Sequence, residues 1–240
     1  MQLYKFLPTA GACSRRKASE LIKSKKVKVN GQVIDNIFYE VKKTDLVQVD
    51  GKIVTLPDFK YILLNKPKDY ICTLSDQSDR RIIMDLVEDS NLPRVYPIGR
   101  LDRSTTGLII LTNDGDLTQK LSHPKYEIPK GYRVTLDRPL SKQDFVAIKK
   151  GIKLEDGFIN VDNIAFVNGS KNKELELEIH SGRNRIIRRI FEYFDYKVKK
   201  LDRFYYAGLT KAGLPLGKWR LLTKAEVSYL KGLSNDQNFK

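Results

Sequence analysis

The chain has 240 residues, 41% hydrophobic and 30% charged, the balance of a globular protein with room for one large domain or two unequal ones. Lys and Arg number 44 against 29 Asp and Glu, a formal charge of +15. Such a field attracts polyanions, and nucleic acid is the expected partner because each neutralised phosphate releases a counterion. The only cysteines are Cys13 and Cys72 and the only histidines His123 and His180, which excludes a disulfide framework and a Cys- or His-rich metal site. No run approaches the ~18–20 apolar residues of a membrane span, and Met1–Phe6 has no apolar leader region. No membrane partner and a cytoplasmic location are therefore expected, a compartment that suits free thiols.

In chain order, Gly11–Ser14 reads as a turn, with Ser14 as N-cap of a helix over 15–25. Ala18, Leu21 and Ile22 recur there at i, i+3 and i+4, an amphipathic spacing. Val27-Lys28-Val29 before Asn30-Gly31, and Val47-Gln48-Val49 before Asp50-Gly51, carry the strongest short hairpin signals. Pro57 and Asp58 mark a linker over 57–60.

A larger region opens with Tyr61–Leu64, a buried-strand candidate that stops at Asn65-Lys66-Pro67. Ile82–Glu88 reads as a short helix, Gly107–Thr112 as a strand and Leu117–Leu121 as a helix. Tyr132–Leu136 and Leu175–Ile179 alternate like strands, and Phe145–Lys150 is a helix broken by Gly151. From Arg185 to Phe194 the residues Ile186, Ile187, Ile190, Phe191 and Phe194 form a helical stripe. The polar end, 233–240, reads as a disordered tail. Interspersed strands and helices with hairpin-like pairs favour α+β over a parallel βαβ sheet.

Arg15, Arg16 and Lys17 crowd the start of the first basic helix. Cations there oppose the macrodipole at a cost of ~0.3–1 kcal/mol each, and a bound anion offsets this. A solvated charged face is the plainer reading of such a run, and RNA binding is the preferred one here. The segment from Leu3 to Gly31 resembles the S4 RNA-binding domain through Ser14-Arg15-Arg16, Ala18, Leu21-Ile22 and Val27–Gly31. One departure is Lys25, which stands where S4 domains usually close the helix with Gly.

In the larger region, Gly99-Arg100-Leu101-Asp102 is followed by Arg103-Ser104-Thr105-Thr106-Gly107. Flanking cations favour an ionised carboxylate, which acts as nucleophile or base. On charge pattern alone, a turn-capping or Arg-paired aspartate accounts for Asp102 better. The wider order reverses this. Asn65-Lys66-Pro67, the Asp102 loop, Tyr132, and Gly182-Arg183-Asn184-Arg185-Ile186-Ile187-Arg188-Arg189 follow one another, with Leu214–Arg220 near the end. Together with the S4-like segment, the chain resembles the RsuA/RluB family of pseudouridine synthases over about Leu3 to Leu230.

The resemblance implies an S4 domain over 1–56 and a catalytic domain over 61–232, built on a mixed, largely antiparallel sheet with flanking helices. It implies that Asp102 is the catalytic aspartate, Tyr132 the base-stacking tyrosine and Arg188 the cation paired with the aspartate. Lys66, Pro67 and Ile187 would support the site. Arg100, Arg103, Arg183, Arg185 and Arg189 would contact RNA, as would Arg15, Arg16 and Lys17. Ile186 departs from relatives that carry Gln or Glu there. Each residue also has a plainer reading: Tyr132 as a strand aromatic, Arg188 on a solvated face, Ile187 in the core, His123 as structural, Cys72 as core.

Isomerising uridine breaks C1′–N1 and rejoins the base through C5, so no redox cofactor, ATP or metal is expected. The absence of GxxxxGK[ST] and GxGxxG motifs agrees. Ribosomal RNA, 23S in preference to 16S, is the expected substrate, acted on by a monomer. A synthase for tRNA and a non-catalytic S4-type ribosome-assembly factor are the alternatives.

Overall fold

The computed structural model describes residues 1–89 and 91–233. It divides into two compact units, one formed chiefly by Met1–Lys60 and one by most of the chain from Tyr61 onward.

The first unit contains α1 (Leu3–Thr9), α2 (Arg15–Lys23) and a four-stranded sheet of β1 (Val27–Val29), β2 (Gln32–Val33), β3 (Val47–Val49) and β4 (Lys52–Val54), ordered β2-β1-β3-β4. Both expected hairpins form. Asn30 and Gly31 (φ 50° and 83°), like Asp50 and Gly51 (φ 47° and 79°), take the two positive angles of a tight hairpin turn. Sequence reading missed α1, although Leu3, Phe6 and Leu7 have helical spacing and are buried with Ala18, Leu21 and Ile22; Pro8 disguises it, standing in the last turn. The second helix stops at Lys23, two residues before the expected end. Lys25 N–H donates to Ile22 O (3.0 Å) and Lys26 N–H to Leu21 O (3.0 Å), the paired bonds of a Schellman motif. Lys25 takes the left-handed conformation itself, at φ 60°, a strain that glycine would not carry.

The second unit is α+β. Its strands are β5 (Tyr61–Lys66), β6 (Tyr96–Pro97), β7 (Thr106–Thr112), β8 (Lys130–Leu136), β9 (Ile152–Leu154), β10 (Gly157–Ile159), β11 (Asn163–Phe166), β12 (Glu174–Ile179), β13 (Val198–Tyr206), β14 (Leu209–Thr210) and β15 (Trp219–Leu221). Its helices are α3 (Gly115–Ser122), α4 (Lys142–Lys150), α5 (Ile186–Glu192) and α6 (Lys224–Gly232). The main sheet runs β11-β12-β8-β13-β7-β5-β15, with β9 and β10 as a separate hairpin. Every neighbour along that path is antiparallel except β13 and β7. The sheet is thus mixed and largely antiparallel.

Several boundaries differ from expectation for physical reasons. The first strand of this unit does not stop at Asn65 but continues through Lys66, pairing with Gly107. Both polar side chains are buried because they are bonded: Asn65 Nδ2 donates to Leu214 O at 2.9 Å, and Lys66 finds backbone carbonyls. The helix expected over 82–88 is a single 3-10 turn, Ile83–Leu86. The stripe expected from Arg185 is helical over Ile186–Glu192. Leu233, placed in the expected tail, packs against the core, and 234–240 lie outside the described residues.

The parallel pair β7 and β13 is where the topology matters for the site. At Gly107 the backbones approach so closely that an added Cβ would stand 2.3 Å from Arg203 O. Beyond β13 lies β8, with Tyr132 opposite Arg203 in register. The start of β7 and Tyr132 of β8 thereby flank the same stretch of β13.

Candidate active site

Asp102 lies in the loop between β6 and β7, and its neighbours are clamped to the fold. Thr105 N–H donates to Asp102 O at 3.0 Å, and Asp69 N–H to Arg103 O at 2.9 Å. Cys72 Sγ lies 3.3 Å from both Leu101 N and Leu101 O. The fully buried Lys66 ammonium donates to Pro67 O (3.0 Å), Thr105 O (2.8 Å) and, more weakly, Arg103 O (3.4 Å). Burial pushes the Lys66 ammonium below its ordinary value, and the nearby Cys72, Asp102 and Asp69 oppose the shift. Burial likewise pushes the Cys72 thiol up, which keeps it protonated and unreactive.

The Asp102 side chain is 36% exposed, so a substrate atom can reach it. Two guanidiniums face its Oδ2: Arg185 Nη1 at 3.6 Å and Arg188 Nε at 3.8 Å. Arg185 is the N-cap of α5 in a left-handed conformation, φ 48°. Arg188 is buried, and donates to Val198 O and Ser104 Oγ, each at 3.0 Å. Its Nε has no hydrogen-bond partner, so Asp102 meets Arg188 by charge rather than by a formed hydrogen bond. Burial pushes Arg188 down from its ordinary value, and Arg185 adds to this.

Asp102 and Tyr132 line one pocket of about 190 Å³, together with Ile186, Ile187 and the start of the Gly182–Arg185 segment. Tyr132 is buried in β8, so only part of its side chain is presented. A second, more open groove also contains Asp102 and is lined by Arg100, Arg103, Arg183 and Arg185. Several of these arginines are already engaged. Arg103 pairs with Asp69 at 3.1 Å, Arg183 with Asp156 at 3.6 Å, and Arg185 also with Glu192 at 3.5 Å. Arg189 is held by both oxygens of Asp156, at 2.8 and 2.6 Å. Pro67 is half-buried behind Lys66. Arg15, Arg16 and Lys17 lie in the other compact unit, exposed on the first turn of α2, where Ser14 Oγ accepts from Lys17 N–H and Lys17 pairs with Glu20.

Sequence reading passed over Lys130 and Arg203, which also line the pocket. A signal was present. Lys130 shares a strand face with Tyr132, Val134 and Leu136, and Arg203 follows Leu201 in the buried phase of β13. A cation in the apolar phase of a strand is unusual and asks for a reason. Both histidines also line the pocket, where His123 Nδ1 accepts from Lys125 N–H and His180 pairs with Asp162 at 2.7 Å.

Comparison with known proteins adds the family. The RNA pseudouridylate synthase model matches residues 60–193 and the S4 domain model residues 1–47. An uncharacterized RNA pseudouridine synthase of Aquifex aeolicus is 42% identical over 96% of this chain and 93% of its own length. The ribosomal large subunit pseudouridine synthase B of Bacillus subtilis is 41% identical over 98% and 97%. The dual-specificity RNA pseudouridine synthase RluF of Escherichia coli is 36% identical over 95% and 77%. Among solved structures, a pseudouridylate synthase crystal structure superposes with a TM-score of 0.68 at 27% identity, over 96% of this chain and 99% of that one.

Proposed function

The chain belongs to the RNA pseudouridylate synthase family and carries an S4 domain, and from that premise we propose that Asp102 is its catalytic carboxylate and 23S rRNA its substrate. In this reading residues 1–56 bind RNA, 57–60 link, and 61–232 carry out the isomerisation. One observation carries the site assignment: Asp102 is a half-exposed carboxylate, shared by a pocket and an arginine-lined groove, with Arg185 and Arg188 at 3.6 and 3.8 Å from one oxygen.

That geometry suits the chemistry. The uridine leaves its stack, at a cost of a few kcal/mol, and enters the pocket while its phosphates lie along Arg100, Arg103, Arg183 and Arg185. Stacking on Tyr132 returns about 1–3 kcal/mol. The two guanidiniums, at 3.6 and 3.8 Å, aim the carboxylate by charge. Asp102 then either attacks C1′ or removes the 2′ proton. Lys66 ties the loop to the carbonyls of Pro67 and Thr105, and Ile187 lines the pocket. The S4 unit supplies phosphate affinity through Arg15, Arg16 and Lys17, which positions RNA without reading many bases.

Support for the 23S assignment comes from the Bacillus subtilis relative, named for the large ribosomal subunit and similar along nearly its whole length. The test is tritium release from RNA labelled at uridine C5, since that hydrogen is lost when C1′ joins C5. Purified protein should release tritium from 23S transcripts, and Asp102→Asn should release none. Release confined to 16S rRNA or tRNA would overturn the substrate, and release by Asp102→Asn would overturn the catalytic role.

A further inference from the structure

The pocket holds more positive charge than its aspartate needs. Arg203 is 3% exposed. Its Nε donates to Leu108 O at 2.7 Å and its guanidinium lies over the Tyr206 ring at 4.3 Å, which fixes its position. Its Nη2 has no partner. Lys130 donates to Ile128 O (2.7 Å) and His180 O (3.0 Å), leaving one of an ammonium's three N–H groups free. No carboxylate pairs with either cation among the described residues. Burial first, and Arg203 with it, holds the Lys130 ammonium down to about 8, against the pull of the Asp162 carboxylate.

Buried polar atoms are nearly always satisfied, and the exceptions call for an explanation. Thr105 Oγ1 and Arg203 Nη2 are both unsatisfied, and both residues line this pocket. Neutral uracil needs no buried cation. The base becomes anionic only after C1′–N1 breaks, when the bond pair stays on the uracil and spreads over N1 and the carbonyl oxygens. We propose that Arg203 and Lys130 form a cationic wall that stabilises this departing uracil anion while it turns in the pocket. The anion then bonds to C1′ through C5 as Asp102 leaves C1′ or returns the 2′ proton, C5 loses its proton, and N1 gains one, so the product is an isomer. Preorganised charge facing a developing anion is the strongest single device available to an active site. The inference rests on the pocket beside Asp102 being the active site.

The experiment follows a single turnover at saturating enzyme with Arg203→Met, on RNA carrying uridine or 5-fluorouridine at the target, reading nucleoside consumption by mass spectrometry. Fluorine makes the base a better leaving group, so the cation matters less. Arg203→Met should slow uridine at least about 100-fold and 5-fluorouridine by less than about tenfold, with RNA affinity unchanged. Equal losses on both substrates, or no loss, would overturn the proposal. If Arg203→Met fails to fold by circular dichroism, Lys130→Met is judged on the same ratio. Asp102→Asn runs alongside: consumption by that variant would defeat the site assignment itself, whereas an inactive Asp102→Asn beside an unaffected Arg203→Met would defeat only the cationic wall.

Discussion

Replacing Lys66 with methionine keeps the side-chain volume and removes the ammonium that ties the Asp102 loop to β5. Three carbonyls lose a donor, those of Pro67, Arg103 and Thr105. A buried group left unsatisfied costs about 1–3 kcal/mol. The Thr105 bond is buried and short at 2.8 Å, the Pro67 bond is partly buried at 3.0 Å, and the Arg103 bond at 3.4 Å is marginal. The variant no longer desolvates an ammonium, which offsets part of the loss. We expect a net destabilisation of about 2–3 kcal/mol, seen as a urea midpoint lower by roughly 1 M. Because Arg103 and Thr105 flank the site, Asp102 should also shift, and a displacement near 1 Å costs about 100-fold in rate. RNA affinity should hold, since Lys66 is buried. Chemical unfolding, single-turnover kinetics and filter binding measure the three quantities. A folded Lys66→Met with wild-type midpoint and rate would refute the role of Lys66 as the anchor of this loop.

Three further outcomes are expected. Lys25→Gly should raise the stability of the first unit by about 1 kcal/mol in urea unfolding, because the Schellman position at φ 60° then carries no Cβ strain. Gly107→Ala should lower stability by about 3 kcal/mol or more, roughly 10 °C in thermal unfolding, because its Cβ would meet Arg203 backbone at 2.3 and 2.5 Å and its φ is +108°. Glu226 is held down to about 2 from 4.5, first by its hydrogen bonds from Arg220. A carboxylate with a depressed folded value contributes stability above about pH 4.5 and loses it as pH falls towards the folded value. Glu226→Gln should therefore cost about 1 kcal/mol at pH 6, discounted for a partly exposed pair, and progressively less towards pH 3 in acid-dependent urea melts.

Much of the fold was legible because its signals are local. Asn30-Gly31 and Asp50-Gly51 announce hairpins through the angles they tolerate, and the Ile186–Phe191 stripe announces α5 through its spacing. The central strand β13 was not, because Lys199, Lys200, Asp202 and Arg203 break the apolar run of Val198–Tyr206. Its place is set by long-range pairing with β8 and β7, which no local pattern records. The same distinction holds at the site. Asp102, Tyr132 and Arg188 were picked out by the order of motifs along the chain, since charge pattern alone favoured a structural aspartate. Arg185 reads in sequence as an RNA contact, yet its guanidinium also stands by Asp102, at 3.6 Å beside 3.8 Å for Arg188. Arg189 was read the same way, and the hold of Asp156 on it depends on the hairpin of β9 and β10 reaching α5, a contact invisible in sequence.

The most direct test of the central claim is pseudouridine mapping of rRNA from cells lacking the gene, complemented with wild type or with Asp102→Asn. Loss of one or two adjacent 23S sites, restored by wild type and not by Asp102→Asn, is the expected result. Unchanged pseudouridine in the deletion strain, or restoration by Asp102→Asn, would contradict it.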